Sequence, residues 1–249
     1  MDGLTSSPAI FLTGTGTGVG KTVAGCALAA AWAARGLAPR VLKPAESGCE
    51  RRGGALHPSD AWALREAAGD TRSLDEVCPY RYALPLAPAH AAEQEGGPPD
   101  LGRLLRMIAA LRETPAPLLV EGAGGLLVPL APGVQMIDLA KRAGLRLIIA
   151  APLGLGTLNH TQLTVRAARA EGIPVAGIVL SDLTGEDTPA ARRNPAAVRD
   201  LCDAPLLGVL PHLPGIGEEI RRGARPGTRA AARLAEAAGL LDMGMLENA

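Results

Sequence analysis

Aromatic residues are nearly absent from this sequence. They make up 2% of its 249 residues, whereas apolar residues as a group make up 47%. Proteins that bind single-stranded nucleic acid stack the bases on aromatic side chains, so this composition disfavours that class of protein. The core has to be built from Ala, Val, Leu and Ile instead, which is typical of helices packed on a parallel sheet.

The sequence also lacks net charge, metal-type cysteine spacing and long apolar runs. Lys plus Arg total 25 and Asp plus Glu total 25, so no overall field would hold the chain on a nucleic acid or an anionic membrane. Cys26, Cys49, Cys78 and Cys202 show no C-x-x-C pairing, so neither a zinc site nor a disulfide framework is predicted. No apolar stretch reaches the length of a membrane span, and the N-terminus does not resemble a secretory signal. We therefore expect a cytoplasmic protein with no nucleic-acid or membrane partner.

Short apolar segments alternate with helix-prone segments along the chain. The predicted strands cover residues 9–13, 40–43, 118–121, 145–150, 175–180 and 206–210. The predicted helices cover residues 21–35, 60–68, 101–112, 136–143, 158–171, 190–201 and 228–238. Continuously apolar strands that alternate with helices indicate an α/β fold, with a mostly parallel sheet covered by helices on both faces. Since there is no internal repeat and no long linker, we expect residues 1–249 to form a single domain.

Three local features are predicted from residue type. Ser59 is expected to cap the helix that begins at Asp60. Residues 122–125, all Gly or Ala, are expected to form a turn. The Pro-rich segment 71–99 has weak periodicity and is expected to be a surface excursion over a site rather than a core element.

The segment from Gly14 to Thr22 carries the strongest functional signal. Its sequence GTGTGVGKT follows the first predicted strand and opens the first predicted helix. Small residues let consecutive backbone N–H groups surround phosphate oxygens, in front of the positive end of a helix. Lys21 would reach the β- and γ-phosphates, and the Thr22 hydroxyl would coordinate Mg²⁺. The match is a variant, because Thr15 stands where the common pattern has Gly. A plain structural turn or a dinucleotide site would also be Gly-rich, but a Gly-Lys-Thr ending at a helix start favours a triphosphate.

Two carboxylates are candidates to hold the metal, because Mg²⁺ prefers oxygen ligands. Glu121 ends an apolar strand and precedes a Gly-rich segment, at the edge of the sheet where ligands bind in open α/β folds. Asp60 begins the helix after the second strand. It is also explained by the helix dipole, which favours an acid in the first turn.

Two further clusters follow predicted strands. Lys43 is either a solvated lysine or a cation that holds an anionic substrate and offsets charge during phosphoryl transfer. Ser181 and Asp182, together with Pro211, His212 and the residue after it, are expected to surround the base of the nucleotide. A lone His212 could equally be an ordinary surface or packed histidine.

The order of these motifs resembles the dethiobiotin synthetase family over nearly the full chain. The matching pieces are the loop 14–22 with Val23-Ala24, Lys43-Pro44 with Ser47-Gly48, Ser59-Asp60-Ala61, Pro88-Ala89-His90, residues 93–96, residues 120–125, residues 156–160 and residues 205–208. A phosphate loop alone is shared by many families. The combination of Lys-Pro-x-x-Ser-Gly and Val-Glu-Gly-Ala-Gly-Gly in this order is much narrower.

The resemblance implies an enzyme of biotin biosynthesis that uses ATP and Mg²⁺ to close 7,8-diaminononanoate and CO2 into dethiobiotin, through a carbamate and a carbamic-phosphoric anhydride. It implies catalytic roles for Lys43 and Lys21. It implies substrate binding by Ser47, Leu153, Gly154 and Asn159, and metal binding by Thr22, Asp60 and Glu121. It assigns the nucleotide to Gly18, Val19, Gly20, Lys21, Thr22, Val23, Asp60, Glu121, Gly122, Ala123, Gly124, Ser181, Asp182, Pro211, His212, Leu213 and Glu218. The family is a homodimer in which the segment corresponding to residues 153–159 completes the neighbouring site, so the resemblance also implies a homodimer.

The sequence departs from its relatives at two site positions. Gly18 stands where many relatives carry an acid. Ser181 stands where relatives often have Asn, whose amide can form two hydrogen bonds with adenine; a single hydroxyl cannot. The second departure predicts weaker selection of ATP over other triphosphates.

Two other activities share a phosphate loop. A positioning or partitioning ATPase that acts through protein partners usually carries a second lysine in the loop, at the position of Gly16 here. An amide-forming synthase of cofactor biosynthesis normally has an added glutamine-hydrolysing domain, for which this sequence has no room. The least specific alternative is an α/β nucleotide-binding domain of another activity.

Overall fold

The computed structural model describes residues 7–247. Within this range the strands are β1 (Ala9–Gly14), β2 (Arg40–Leu42), β3 (Ala45–Glu46), β4 (Glu50–Arg52), β5 (Ala55–His57), β6 (Tyr80–Arg81), β7 (Leu118–Gly125), β8 (Pro129–Ala131), β9 (Val134–Gln135), β10 (Arg146–Pro152), β11 (Val175–Ser181) and β12 (Leu206–Leu210). The helices in the same range are α1 (Lys21–Ala34), α2 (Ser59–Ala68), α3 (Leu74–Val77), α4 (Pro88–Glu95), α5 (Leu101–Arg112), α6 (Met136–Arg142), α7 (Thr157–Ala170), α8 (Pro189–Leu201), α9 (Ile216–Arg222), α10 (Arg229–Ala238) and α11 (Gly244–Glu247).

A parallel six-stranded sheet forms the centre of the molecule. Its strand order is β12-β11-β10-β1-β7-β2, and each adjacent pair runs parallel. β1 lies between β10 and β7, in register from Ile10 opposite Arg146 and from Ala9 opposite Leu118. The predicted α/β fold with a parallel sheet is confirmed.

Both faces of the sheet are covered by helices. Alternate residues of β1 point to opposite faces. Ile10 and Leu12 join a core with α1, α2 and α10, while Phe11 joins a second core with α5 and α6. A third, smaller core lies between β10 and β11 on one side and α7 and α8 on the other. Strands covered on both faces have no solvated side, which explains their continuous apolar sequences.

The chain order brings several loops to one edge of the sheet. β1 ends at Gly14 and leads into the phosphate loop, β2 ends at Leu42 just before Lys43, and β7 passes through Glu121. Because parallel strands share the edge at which they end, these three segments meet there.

Two local predictions were wrong. Ser59 does not cap α2 but is its first residue, after Pro58, and its hydroxyl donates to Glu46 Oε1 at 3.3 Å. Residues 122–125 do not form a turn. They extend β7, and Gly125 pairs with Gly14 of β1.

The segment 71–99 was predicted as a surface excursion but is partly a core element. It contains α3, β6 and α4, and it buries Val77, Cys78, Tyr82, Ala91 and Ala92. Short elements such as α3 carry too few residues for periodicity to be detected, although a Ser73 and Glu76 capping box marks its start. The hairpins β4–β5 and β8–β9 and the helix α9 were also not predicted.

The cysteines lie in the interior of the fold. All four cysteines are buried and free of disulfide bonds. Among residues 7–247, no helix is long and apolar enough to cross a membrane.

Candidate functional site

The loop between β1 and α1 is anchored to the sheet and turns through two glycines. The N–H of Thr15 donates to Ala150 O on β10 at 3.0 Å, which fixes the start of the loop. Gly18 and Gly20 have φ values of 73° and 88°, a region that favours glycine. A Cβ at Gly18 would meet no atom within 4 Å, so an acid at that position would have space but a strained backbone. This chain therefore uses the residue that suits the loop conformation.

Helix α1 begins directly after the loop. No side chain caps its first turn, so the N–H groups there are available to an anion. Lys21 Nζ folds back and donates to Gly16 O at 3.2 Å. Burial lowers the pKa of Lys21, and the nearby Lys43 ammonium lowers it further. A phosphate placed against this loop would relieve both effects, because it adds a negative charge.

Lys43, Glu121, Asp60 and Thr22 form a partly buried cluster beside the loop. Lys43 Nζ donates to Glu121 Oε1 at 2.5 Å and to Asp60 Oδ2 at 3.1 Å. Thr22 Oγ1 donates to the same Glu121 oxygen at 3.1 Å. Glu121 is fully buried, and Lys43 is only 3% exposed. The structure brings these candidate site residues together, and Lys43 is an ion-paired lysine rather than a solvated one.

The charges of this cluster stabilise each other. Burial alone would lower the pKa of Lys43, but Glu121, Asp60 and Glu46 reverse this and raise it well above its usual range. The Lys43 ammonium lowers the pKa of Asp60 against the opposing effect of burial. At neutral pH the ammonium and the Asp60 carboxylate are therefore both charged.

The oxygen donors in this cluster fit a magnesium ion bound together with a phosphate. Both carboxylates contact Lys43 Nζ, Thr22 Oγ1 contacts Glu121 Oε1, and the Asp60 side chain, which lines the cavity, is 43% exposed. Within residues 7–247, no group of three or more His, Cys, Asp or Glu residues could hold a metal by itself. Mg²⁺ usually binds through one or two carboxylates and completes its shell with substrate phosphates and water.

A cavity of about 700 Å³ opens over the loop and the cluster. Ligand sites commonly have volumes of roughly 300–1,000 Å³. Its floor includes Lys21, Thr22, Lys43 and Asp60, and the rest of its lining includes Thr17, Gly18, Gly20, Val23, Glu46, Ser47, Ala123, Gly124, Val128 and Leu183. Residues 85–88 form one wall, which agrees with the prediction that segment 71–99 lies over a site.

Lysine is rare in this chain, and its distribution is uneven. The sequence contains three lysines, and two of them, Lys21 and Lys43, line the same cavity. The third, Lys141, is half exposed on α6 and pairs with Glu171 at 2.8 Å. Surface cations elsewhere are arginines, so the lysines in the cavity are not a result of the overall composition.

Glu46 is a site residue that sequence reasoning missed. It lies on β3 next to Ser47, is 5% exposed and lines the main cavity. Its carboxylate accepts hydrogen bonds from the N–H groups of Asp60 and Ala61, each at 2.9 Å. Burial raises the pKa of Glu46 to about 7, while the Lys43 ammonium acts in the opposite direction. The only sequence signal was an acid directly before Ser47.

A second cavity of about 240 Å³ adjoins the loop where the base was predicted to lie. Its lining includes the predicted residues Ser181, Asp182, Pro211, His212 and Leu213, together with Gly20 and Val23. Ser181 Oγ is buried and has no hydrogen-bond partner among the described residues. A Cβ at Gly20 would lie 2.9 Å from this oxygen, so the hydroxyl lies against the phosphate loop.

Several residues that were predicted to bind nucleotide or substrate do not line the two cavities described above. Glu218 is on the exposed side of α9, where it pairs with Arg222. Leu153 and Gly154 line a third cavity of about 600 Å³, and Asn159 is exposed on α7. Val19 packs near Gly14, and Gly122 lies close to Phe11. Within one chain, the structure does not bring Leu153, Gly154 and Asn159 to Lys43.

Comparison with known proteins gives close sequence relatives. A family model described as "AAA domain" matches residues 8–219. An ATP-dependent dethiobiotin synthetase BioD from Anaeromyxobacter dehalogenans (strain 2CP-C) is 46% identical over 212 residues, which cover 85% of this chain and 93% of the relative. One with the same name from Thermodesulfovibrio yellowstonii is 36% identical over 217 residues, which cover 84% and 90%.

Solved structures give more distant matches. The septum site-determining protein MinD complexed with Mg-ADP from Pyrococcus horikoshii has a TM-score of 0.58 and 18% identity, covering 93% of this chain and 94% of that one. A ParA family ATPase from Chlorobium tepidum has a TM-score of 0.54 and 16% identity, covering 94% and 100%. At such low identity the similarity shows the fold alone.

Proposed function

The chain belongs to the ATP-dependent dethiobiotin synthetase family, and from this premise we propose how its site carries out the reaction. Family membership makes the chain an ATP-dependent ligase that forms dethiobiotin in biotin biosynthesis. The substrates proposed are 7,8-diaminononanoate, CO2 and ATP. The observation that supports the proposal most directly is the convergence of the phosphate loop with the Lys43, Glu121 and Asp60 cluster on one cavity.

The proposed reaction has three bond-forming steps. One amine of the substrate adds to CO2 and loses a proton, which gives a carbamate. A carbamate oxygen then attacks the γ-phosphorus of ATP, and ADP leaves with the bond electrons. The second amine attacks the carbamate carbon of this mixed anhydride, phosphate leaves, and a proton is lost as the cyclic urea closes. Phosphorylation is needed because an unmodified carbamate oxygen is a poor leaving group.

The two lysines of the cavity are assigned to different ligands, one to the nucleotide and the other to the carbamate. Lys21 lies in the phosphate loop, so we assign it to the β- and γ-phosphates. Lys43 lines the same cavity as the loop and Ser47, so we assign it to the carbamate and to the phosphoryl group in transfer. A fixed cation in a water-poor cavity stabilises charge that develops in a transition state better than solvent does.

Thr22, Asp60 and Glu121 are the residues that would hold the magnesium ion. When bound, Mg²⁺ neutralises phosphate charge and aligns the triphosphate. The role of the residues themselves is to present oxygen donors from α1, α2 and β7 at fixed positions. The hydrogen bonds that join Glu121 to Thr22 and Lys43 support this assignment, because they hold the carboxylate in one orientation.

We further propose a homodimer in which Leu153, Gly154 and Asn159 serve the site of the neighbouring subunit. Within one chain, Leu153 and Gly154 line a different cavity from Lys43, next to the highly exposed Leu155, and Asn159 is exposed on α7. A second copy of the chain that covered this loop would bury the exposed Leu155 side chain.

The competing ATPase activity has less support. The MinD and ParA structures compared above are 18% and 16% identical to this chain, so they indicate the fold and not the activity. The loop carries Gly16 where those proteins usually have their second lysine.

A turnover assay tests the proposal. The purified chain is mixed with diaminononanoate, bicarbonate, ATP and Mg²⁺, and the cyclic urea is measured by mass spectrometry together with ADP. We expect one ADP for each urea, and almost no ADP when the diamine is left out. The matched control is Lys141→Ala, which removes the exposed lysine and should leave the rate unchanged, while Lys43→Ala should abolish it. ADP release that does not depend on the diamine, with no urea formed, would contradict the proposal.

A further inference from the structure

Glu46 has contacts that suit a structural task inside the reaction cavity. It accepts from Asp60 N and Ala61 N at 2.9 Å, and from Ser59 Oγ at 3.3 Å. Asp60 and Ala61 belong to the first turn of α2, whose N–H groups have no partner within the helix. No side chain next to the helix start satisfies them, and the N-cap position is occupied by Pro58. A carboxylate from a distant strand therefore performs the capping.

We propose that Glu46 is a positioning residue, which fixes the start of α2 so that the Asp60 carboxylate stays at Lys43 and at the magnesium position. The proposal rests on the function proposed above. Asp60 Oδ2 lies 3.1 Å from Lys43 Nζ, and the backbone N–H of the same residue is held by Glu46. Shifting the first turn would move the Asp60 side chain and its backbone together.

Glu46 also connects the two sides of the cavity. Its own backbone is held in β3, where Glu46 O accepts from Tyr82 N at 2.9 Å, and the next residue is the proposed substrate-binding Ser47. Its side chain reaches α2, which carries Asp60. One residue thus links the proposed substrate-binding and metal-binding elements.

The alternative is that Glu46 acts as a general base on a substrate amine. A base needs an oxygen lone pair that faces the reacting group. Here both carboxylate oxygens already accept backbone N–H groups, and only 5% of the residue is exposed. Burial raises the pKa of Glu46 to about 7, which would suit a base, but these hydrogen bonds direct both carboxylate oxygens toward the start of α2. The geometry therefore favours positioning.

Glu46→Gln tests the proposal, because it keeps the size of the side chain but replaces one acceptor oxygen by an NH2 group. We expect the Mg²⁺ concentration for half-maximal rate to rise about tenfold, with a smaller change in KM for the diamine. We also expect Mg²⁺-dependent ADP binding, measured by calorimetry, to weaken, while Mg²⁺-free nucleotide binding stays the same. The calorimetric readout does not need turnover, so it separates a failure of this proposal from a failure of the proposed reaction.

The matched control is Glu66→Gln on the same helix. Glu66 is also 5% exposed but pairs with Arg65 and Arg225, away from the cavity. This variant should lose stability without a change in the Mg²⁺ requirement. If Glu46→Gln does not fold, Glu46→Asp carries the test, since it keeps the charge but is too short to reach both N–H groups; an elevated Mg²⁺ requirement is expected for it too.

A double-mutant cycle decides how Glu46 acts. If it acts through Asp60, then Glu46→Gln combined with Asp60→Ala should bind Mg-ADP no more weakly than Asp60→Ala alone. Independent, multiplicative losses would overturn the proposal and favour direct action on substrate. A wild-type Mg²⁺ requirement in the Glu46 variant, alongside a defective Asp60→Ala, would overturn it as well.

Discussion

Gly177, in the middle of β11, has no side chain, and the space this leaves is occupied by the side chain of Leu207. A Cβ at this position would lie 2.4 Å from Leu207 Cγ and 2.6 Å from its Cδ2 on the adjacent strand β12. Leu207 is 3% exposed, so it has little space to move. The backbone of Gly177 is not in the left-handed region, which means that a substitution there is opposed by packing and not by backbone strain.

Gly177→Ala should therefore destabilise the protein by about 1–2 kcal/mol. Overpacking a tight core costs about 1–3 kcal/mol. Replacing Gly by Ala reduces the entropy of the unfolded chain, which returns about 0.4–1 kcal/mol. The first effect is larger because the clash involves Cγ, the branch point of the leucine, and not only the end of a flexible side chain.

A second substitution tests whether the clash with Leu207 is what destabilises Gly177→Ala. Leu207→Ala alone should cost about 2–5 kcal/mol as a core truncation. In that background the clash is gone, so Gly177→Ala should cost nothing or stabilise, and the two changes should be non-additive by at least about 1 kcal/mol. Gly217→Ala is the control, because its Cβ would meet only Arg221 Nη1, at 3.7 Å, on α9.

Chemical denaturation followed by circular dichroism measures the stability of wild type and of the four variants. We expect the control to be as stable as wild type or more stable by up to about 1 kcal/mol, since Ala is the better helix former. The reasoning is refuted if Gly177→Ala is as stable as wild type. It is equally refuted if the losses in the double variant add, because the clash with Leu207 would then not be the cause.

Three further predictions concern the site and the frame around it. Lys21→Ala and Lys43→Ala should both abolish turnover, but calorimetry should show weakened nucleotide binding mainly in the first; the roles are wrong if Lys43→Ala loses nucleotide binding instead. Ser181→Asn should widen the preference for ATP over CTP and GTP by about 1–3 kcal/mol; competition assays at fixed Mg²⁺ check this, and a wild-type protein that already rejects the other triphosphates would contradict it. Asp70→Asn should cost about 3 kcal/mol at pH 7, because the fully buried Asp70 side chain accepts from Arg72 and from the backbone of β2. Burial acts to raise the pKa of Asp70, but these bonds together hold it below its usual range. The stability that Asp70 contributes is therefore present above its unfolded pKa of about 4 and is lost as the pH falls through the folded value. Urea denaturation at neutral and acid pH should show the difference between wild type and variant shrinking toward low pH, and a constant difference would contradict this.

The sequence was sufficient to predict the sheet and the edge at which the site lies. Each central strand is a short apolar run followed by a polar or glycine-rich segment, and a parallel fold brings these segments together. The meeting of Lys43 and Glu121, which are 78 residues apart, follows from that rule alone. The residue roles and the single-domain organisation stay predictions.

The contacts that the sequence did not predict are non-local. Ser59 matches every local preference for a helix cap, yet Glu46 provides the acceptor from β3, a strand of only two residues. Such a strand has no periodicity to detect. The extension of β7 through Gly125 also depends on a neighbour, because a Gly-rich segment forms a strand only where a partner such as Gly14 supplies its hydrogen bonds.

The balance of acidic and basic side chains in the cavity explains why nucleotide binding should depend on a divalent cation. Lys21 and Lys43 face three carboxylates, those of Asp60, Glu121 and Glu46, so without ligand the acids already match or exceed the bases. Among the residues that line the cavity in the described part of the chain, no further basic side chain is left to neutralise a triphosphate. The additional positive charge has to come from the open N-terminus of α1 and from a divalent cation. A cavity with more lysines would bind the nucleotide without a metal, but it would also bind other anions. The acids beside Lys43 thus make nucleotide binding conditional on the metal, and they can do so only while the start of α2 holds Asp60 in place.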